Sequence, residues 1–154
     1  MKNKRWLALC GFVGLLCSCS TEPSREILIT DFPTGPPGTV SFAEVIYVNT
    51  DSTAPKTMDI LIRLLNESSG SGHFDFVIET VSPDSLVWRD TLTAPYIIRD
   101  ATETSSLTYT DIKLGYRSQT QFERMGAYRF RFSPAVPGSF DKKIIGIGIE
   151  VTSQ

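Results

Sequence analysis

Cysteine is scarce in this chain: three in 154 residues, Cys10, Cys17 and Cys19, all near the N-terminus. A disulfide framework or a Cys-ligated metal site in the remainder is thereby excluded. Histidine is scarcer, with His73 alone. A transmembrane helix needs about 20 apolar residues, and the apolar run Trp6–Leu16 is too short for one. A basic excess is also missing: 15 Lys and Arg stand against 17 Asp and Glu, a net charge of −2. Nucleic-acid binding by a cationic surface is therefore not expected. No window carries a 3.6-residue apolar stripe of helical length. With 41% hydrophobic and 21% charged residues, the chain still has the makeup of a folded protein, of a size for one domain.

The charge is unevenly spread. Lys2, Lys4 and Arg5 precede the apolar run, and residues 1–18 hold no acid. This is the pattern of a secretory signal. Residues 19–154 then carry 12 basic and 17 acidic side chains, a charge of −5. Leu16-Cys17-Ser18-Cys19 places an apolar residue at −3 and a small one at −1 before a Cys. It resembles the bacterial lipobox, which implies cleavage before Cys19 and its acylation; the competing reading is an ordinary signal peptide with incidental cysteines. Two or more acyl chains anchor stably. Gram-negative lipoproteins with Asp after the lipidated Cys stay at the inner membrane. Ser20 in that position points to the outer membrane. Residues 1–18 are thus expected to be a signal peptide, 19–26 a flexible tether and 27–154 the folded domain.

Beyond the tether, apolar residues recur with period two. Ile27–Thr30 reads as a short strand, and Val40–Asn49 as the next, with Val40, Phe42 and Ile46 interleaved with Ser41 and Tyr47. Met58, Ile60, Ile62 and Leu64 share one face of Met58–Leu65. In His73–Val81, Phe74, Phe76 and Ile78 are expected inward and His73, Asp75 and Glu79 outward. Leu86–Leu92 is a further strand. Ala94–Ser106 reads as irregular, with one extended piece near Ile97-Ile98, and Leu107–Leu114 and Thr120–Arg124 as weaker strands. Tyr128, Phe130 and Phe132 alternate with Arg129 and Arg131 in Ala127–Ser133, and Ile144–Val151 is the last strand. Short strands at about 8–12-residue spacing predict an all-β fold, an antiparallel β-sandwich, Ig-like or jelly-roll-like.

No catalytic constellation stands out. His73, Asp75 and Glu79 share a strand face, but a zinc site needs three or four convergent ligands, and a solvated face is the expectation. Gly146-Ile147-Gly148 lacks the third Gly of a dinucleotide fingerprint, and no helix follows it. On a strand these two glycines share a face and let a neighbour approach closely. Arg129 and Arg131, with Arg124, Lys142 and Lys143, form a candidate basic patch; a solubilising sheet face is the alternative. Trp88, the one Trp beyond the signal segment, alternates with Leu86 and is expected in the core, with sugar stacking as its competing role. No metal, cofactor or small-molecule substrate is expected.

Several segments fall in a familiar order. They are the lipobox, Asp31-Phe32-Pro33, the Ile60–Asn66 strand, Asp90-Thr91-Leu92, Asp111-Ile112-Lys113, Gly126-Ala127-Tyr128-Arg129-Phe130-Arg131-Phe132 and Gly146-Ile147-Gly148-Ile149-Glu150. Together they resemble the gliding motility lipoprotein GldH family over most of the chain beyond Cys19. The resemblance implies a small, non-enzymatic lipoprotein of the cell envelope, associated with gliding machinery and its linked secretion system. Of functional positions it carries over Cys19 alone. The expected partners are the membrane, through the lipid anchor, and an envelope protein complex. A surface lipoprotein binding glycans or peptides is the second expectation, and a hydrolase the last.

Overall fold

The computed structural model describes residues 24–32, 42–65, 70–98, 109–136 and 144–153. They form eight strands: β1 Arg25–Asp31, β2 Ala43–Asn49, β3 Lys56–Leu65, β4 Gly70–Val81, β5 Val87–Ile98, β6 Tyr109–Thr120, β7 Gly126–Pro134 and β8 Ile144–Ser153. Two four-stranded antiparallel sheets result, in the orders β1-β8-β3-β6 and β2-β7-β4-β5. This interleaving of eight strands, with successive strands crossing between sheets everywhere except the β4–β5 hairpin, is a jelly roll.

Alternation builds the core. Met58, Ile60, Ile62 and Leu64 on β3 lie beside Ile147, Ile149 and Val151 on β8. They face Phe76 and Ile78 on β4 and Tyr128, Phe130 and Phe132 on β7. Burying such side chains stabilises by about 1.5–3 kcal/mol each. The expected faces of β3, β4 and β7 are those observed, although Phe74 is only partly buried.

Elsewhere the strands depart from expectation. On β2 the buried set is Ala43, Val45 and Tyr47, whereas Phe42 and Ile46 are exposed. The register with β7 decides this, because Val45 lies opposite Phe130 and Tyr47 opposite Tyr128, both core residues. β5 continues through Ala94 and Pro95 to Ile98 instead of ending at Leu92. Pro95 is tolerated because β5 is an edge strand. A single strand, β6, runs through Gly115 to Thr120, and 121–124 is loop rather than strand. β1 begins at Arg25, two residues before Ile27. The last part of the region expected to be irregular, 99–106, lies outside the described residues, as do Leu107 and Thr108 of the next expected strand and Val40 and Ser41.

One glycine is required by close approach. A Cβ on Gly148 would sit 1.9 Å from the Leu28 carbonyl oxygen, so the paired strand β1 lies too close there for any side chain at this position. The expected role of the Gly146 and Gly148 face is thus met chiefly at Gly148; at Gly146 the nearest atoms are an ordinary 3.4–3.5 Å away.

Candidate functional site

At one end of the sandwich every loop joining two strands is described. This end gathers the start of β1, the loops 50–55, 82–86 and 121–125, and the end of β8. Loop 50–55 is locked by Asp51, whose Oδ1 accepts from Thr53 N (2.7 Å), Thr53 Oγ1 (2.7 Å) and Ala54 N (3.3 Å). The buried Lys56 ammonium donates to the carbonyls of Asp51 (2.6 Å) and Ala54 (3.3 Å). Gln121 donates to Ser52 O at 2.8 Å, and the buried Asn49 amide donates to Arg124 O at 2.9 Å. Pro83 packs against Gly126, whose φ of +123° favours glycine, at 3.1 Å from where a Cβ would be.

Between the sheets, where the edge strands β5 and β6 face each other, lies a cavity of about 250 Å³. Its apolar floor includes Met58, Phe122, Tyr128 and Phe130, and its polar wall Ser82, Asp84, Arg117 and Arg124. Trp88 lines it and is 46% exposed, so it is not the core residue that alternation suggests. The reason is its place on an edge strand: across β4 it has Thr80 as neighbour, and no strand flanks its other side. Two residues along, Asp90 occupies another inward position and joins the two sheets. It accepts hydrogen bonds from the Tyr116 hydroxyl and from Arg117 Nη2 (2.7 Å). These donors hold the Asp90 carboxyl below the usual carboxylate range. Burial, with the hydrogen bond to Asp90, pushes the Tyr116 hydroxyl up to about 12. Asp84 accepts from Ser82 Oγ, which lowers its carboxyl, and lies 3.6 Å from Arg124.

The expected basic patch is not a cluster of free cations. Arg131 donates to Glu44 (2.6 Å) and Glu79 (3.2 Å), and Glu79 also accepts from Arg89 (2.8 Å). This forms one ionic row across the outer face of β2-β7-β4-β5. Arg129, one row nearer the described end, has no ion-pair partner among the described residues. Arg124 lies at the cavity, and Lys142 and Lys143 fall outside the described residues. Cys19 also lies outside them. His73, Asp75 and Glu79 do not converge: Asp75 accepts from Thr93, and Glu79 is held by its arginines.

A second surface feature appears on the outer face of the other sheet. Ile27 (48% exposed) and Ile29 (39%) project beside Gly148 and Gly146, with Leu61 half-buried alongside. Around this apolar centre runs a charged rim. Glu150 accepts from Arg25 (2.8 Å) and Lys113 (2.8 Å), Lys113 also reaches Asp59 (2.9 Å), and Arg63 pairs with Asp111 (2.7 Å). These donors draw the Glu150 carboxyl down, Arg25 first and Lys113 next. Sequence reading missed this patch and the cavity. The available signals were the two glycines opposite an apolar edge strand, and an Asp in the inward series Trp88, Asp90, Leu92.

The described residues define an eight-stranded jelly-roll sandwich with a cavity at its β5–β6 edge and, on the outer face of β1-β8-β3-β6, an apolar patch ringed by ion pairs. No family model, curated protein or solved structure matches the chain.

Proposed function

We propose that this chain is a non-enzymatic lipoprotein of the bacterial cell envelope, acylated at Cys19 and held at the outer membrane, that acts by protein–protein binding. The segments that resemble the GldH family support a role as an accessory component of gliding or its linked secretion machinery. The observation that carries the binding reading is the Ile27, Ile29 and Leu61 patch. An apolar centre with a polar rim is the anatomy of a protein interface. Its charges are already paired with one another, so a partner meets a preorganised rim rather than free, mobile side chains.

Affinity capture from detergent-solubilised envelopes tests this. The wild-type chain is expected to retain a reproducible set of envelope proteins, and Ile27→Asp with Ile29→Asp to lose them while remaining folded. Recovery of no partner by the wild-type chain counts against the proposal.

A second reading is favoured by one observation, the half-exposed Trp88 indole lining a cavity with Asp84, Gln121 and Arg124. An aromatic face beside planar polar groups suits a sugar or a peptide. Glycan-array binding abolished by Trp88→Ala supports that reading over the first.

A further inference from the structure

Five peptide steps separate Cys19 from Ser24, and extended chain covers at most about 3.6 Å per residue, so an anchor at Cys19 lies within about 18 Å of the first described residue. Ser24 is tied to the sandwich through its carbonyl, which accepts from Ser153 N at 2.9 Å. The same end carries the turns 82–86 and 121–125 and the ends of β2 and β4. Any acyl anchor therefore keeps this end nearer the bilayer than the opposite one.

The side chains at this end are graded along the outer face of β2-β7-β4-β5. Nearest the end, Met125 is 66% exposed and Val48, opposite Ala127, is 55% exposed. In the next row Ile46 and Val81 flank Arg129, and Val87, opposite Val81, is 53% exposed. One row further on, the surface turns ionic and self-paired through Glu44, Arg131, Glu79 and Arg89. An apolar margin with a guanidinium that has no ion-pair partner among the described residues, bounded by closed ion pairs, has the chemistry of the lipid headgroup boundary. There aliphatic side chains sink slightly and an arginine keeps its head at the phosphates. Of the acids in the turns at this end, Asp51 is turned onto its own loop, Asp84 toward Ser82 and Arg124, and the exposed Glu123 lines the cavity.

We infer that this end of the sandwich rests on the membrane, with Val48, Val87 and Met125 in the headgroup region and Arg129 reaching lipid phosphates. The inference rests on the reading of Cys19 as acylated. It converts the anchor from a leash into an orienting device. The β1 patch is held at a fixed attitude to the bilayer.

The test uses the acylated protein in phosphatidylethanolamine–phosphatidylglycerol vesicles at low protein density. Acylation blocks the Cys19 thiol and cleavage removes Cys10 and Cys17, so an introduced cysteine is the only free one. A fluorophore at Met125→Cys, in the loop at this end, is compared with one at Ser71→Cys, at the far end of β4; ten residues of β4 separate Ser71 from Val81, about 33 Å of strand. Lipids carrying a headgroup spin label are expected to quench the first probe several-fold more strongly than the second. Adding Val48→Asp brings quenching at Met125→Cys down toward that at Ser71→Cys. Equal quenching at the two sites, in protein whose intact mass shows the acyl chains, overturns the inference and leaves the anchor standing. A water-shielded but unquenched probe at Met125→Cys overturns it in favour of a protein cover. A mass without acyl chains removes the anchor reading and this inference with it.

Discussion

Replacing Gly148 with alanine tests whether β1 lies as close to its neighbour β8 as the fold requires. The new Cβ would lie 1.9 Å from Leu28 O, 2.7 Å from Ile29 Cα and 2.8 Å from Leu28 C, all backbone atoms that no rotamer change can move. To reach ordinary contact near 3.4 Å, β1 must withdraw by roughly 1.5 Å. That shift is enough to break the nearest ladder bonds to β8. Overpacking costs about 1–3 kcal/mol, and each lost hydrogen bond about 1 kcal/mol more. A total of about 2–4 kcal/mol corresponds to a fall in Tm of about 8–16 °C for a domain of this size. Gly146→Ala is the control. Its nearest neighbours, Ile29 Cγ2 at 3.4 Å, Arg63 Cβ at 3.5 Å and Thr30 O at 3.5 Å, already sit at ordinary distances. Its effect should stay within about 0.5 kcal/mol. Thermal and urea unfolding followed by circular dichroism measures both, and amide hydrogen exchange reports on β1 directly. A Gly148→Ala protein with wild-type Tm and fully protected β1 amides would refute the reasoning.

Three further outcomes follow from the same structure. Asn49→Ala removes the donor to Arg124 O and should cost about 1–2 kcal/mol, read as a lower urea midpoint at unchanged m-value, with faster exchange confined to loop 121–125. Asp90→Asn weakens the link from β5 to Tyr116 and Arg117 and should cost about 1–2 kcal/mol; because Arg117 lines the cavity, the emission of Trp88 should shift as well. Stability should be highest between about pH 5 and pH 9, measured as Tm against pH. Asp90, Asp111, Glu79 and Glu150 are all held below their ordinary values by donor side chains. Their contribution is present above the unfolded carboxylate range and is lost as the pH falls through the lower folded values. Tyr47 and Tyr116 are pushed up to about 12, Tyr47 by burial first, so their contribution is present below pH 10 and lost as the pH rises toward 12.

The faces of β3, β4 and β7 are legible in the sequence because apolar and polar residues alternate there without ambiguity. β2 is not legible. In Ala43–Asn49 both parities are apolar, with Val45 and Tyr47 on one and Ile46 and Val48 on the other. Only pairing with β7 selects between them. β5 is obscured by Pro95 and by an inward Asp90, a combination that an edge strand tolerates and a central one does not. β6 is hidden by Gly115 and by the irregular pairing of its end with Lys56, Met58 and Asp59. The cavity draws on loops 82–86 and 121–124 and lies beside the cross-sheet bond from Tyr116 to Asp90, and no local pattern announces such long-range meetings. Arg129 and Arg131 look alike in sequence, and only the register with Glu44 and Glu79 separates the paired guanidinium of Arg131 from Arg129, which has no ion-pair partner among the described residues. The N-terminal pattern Leu16-Cys17-Ser18-Cys19 is legible only in sequence, since it precedes the described residues.

Site-specific photocrosslinking in living cells addresses the central claim most directly. A photoreactive residue at Ile29, on the outer face beside Gly148, is predicted to form one discrete adduct with an envelope protein. The same residue at Ser71 should form none. Absence of any adduct at Ile29 in a chain shown to be folded and membrane-held contradicts the account of this protein as a binding component of the envelope.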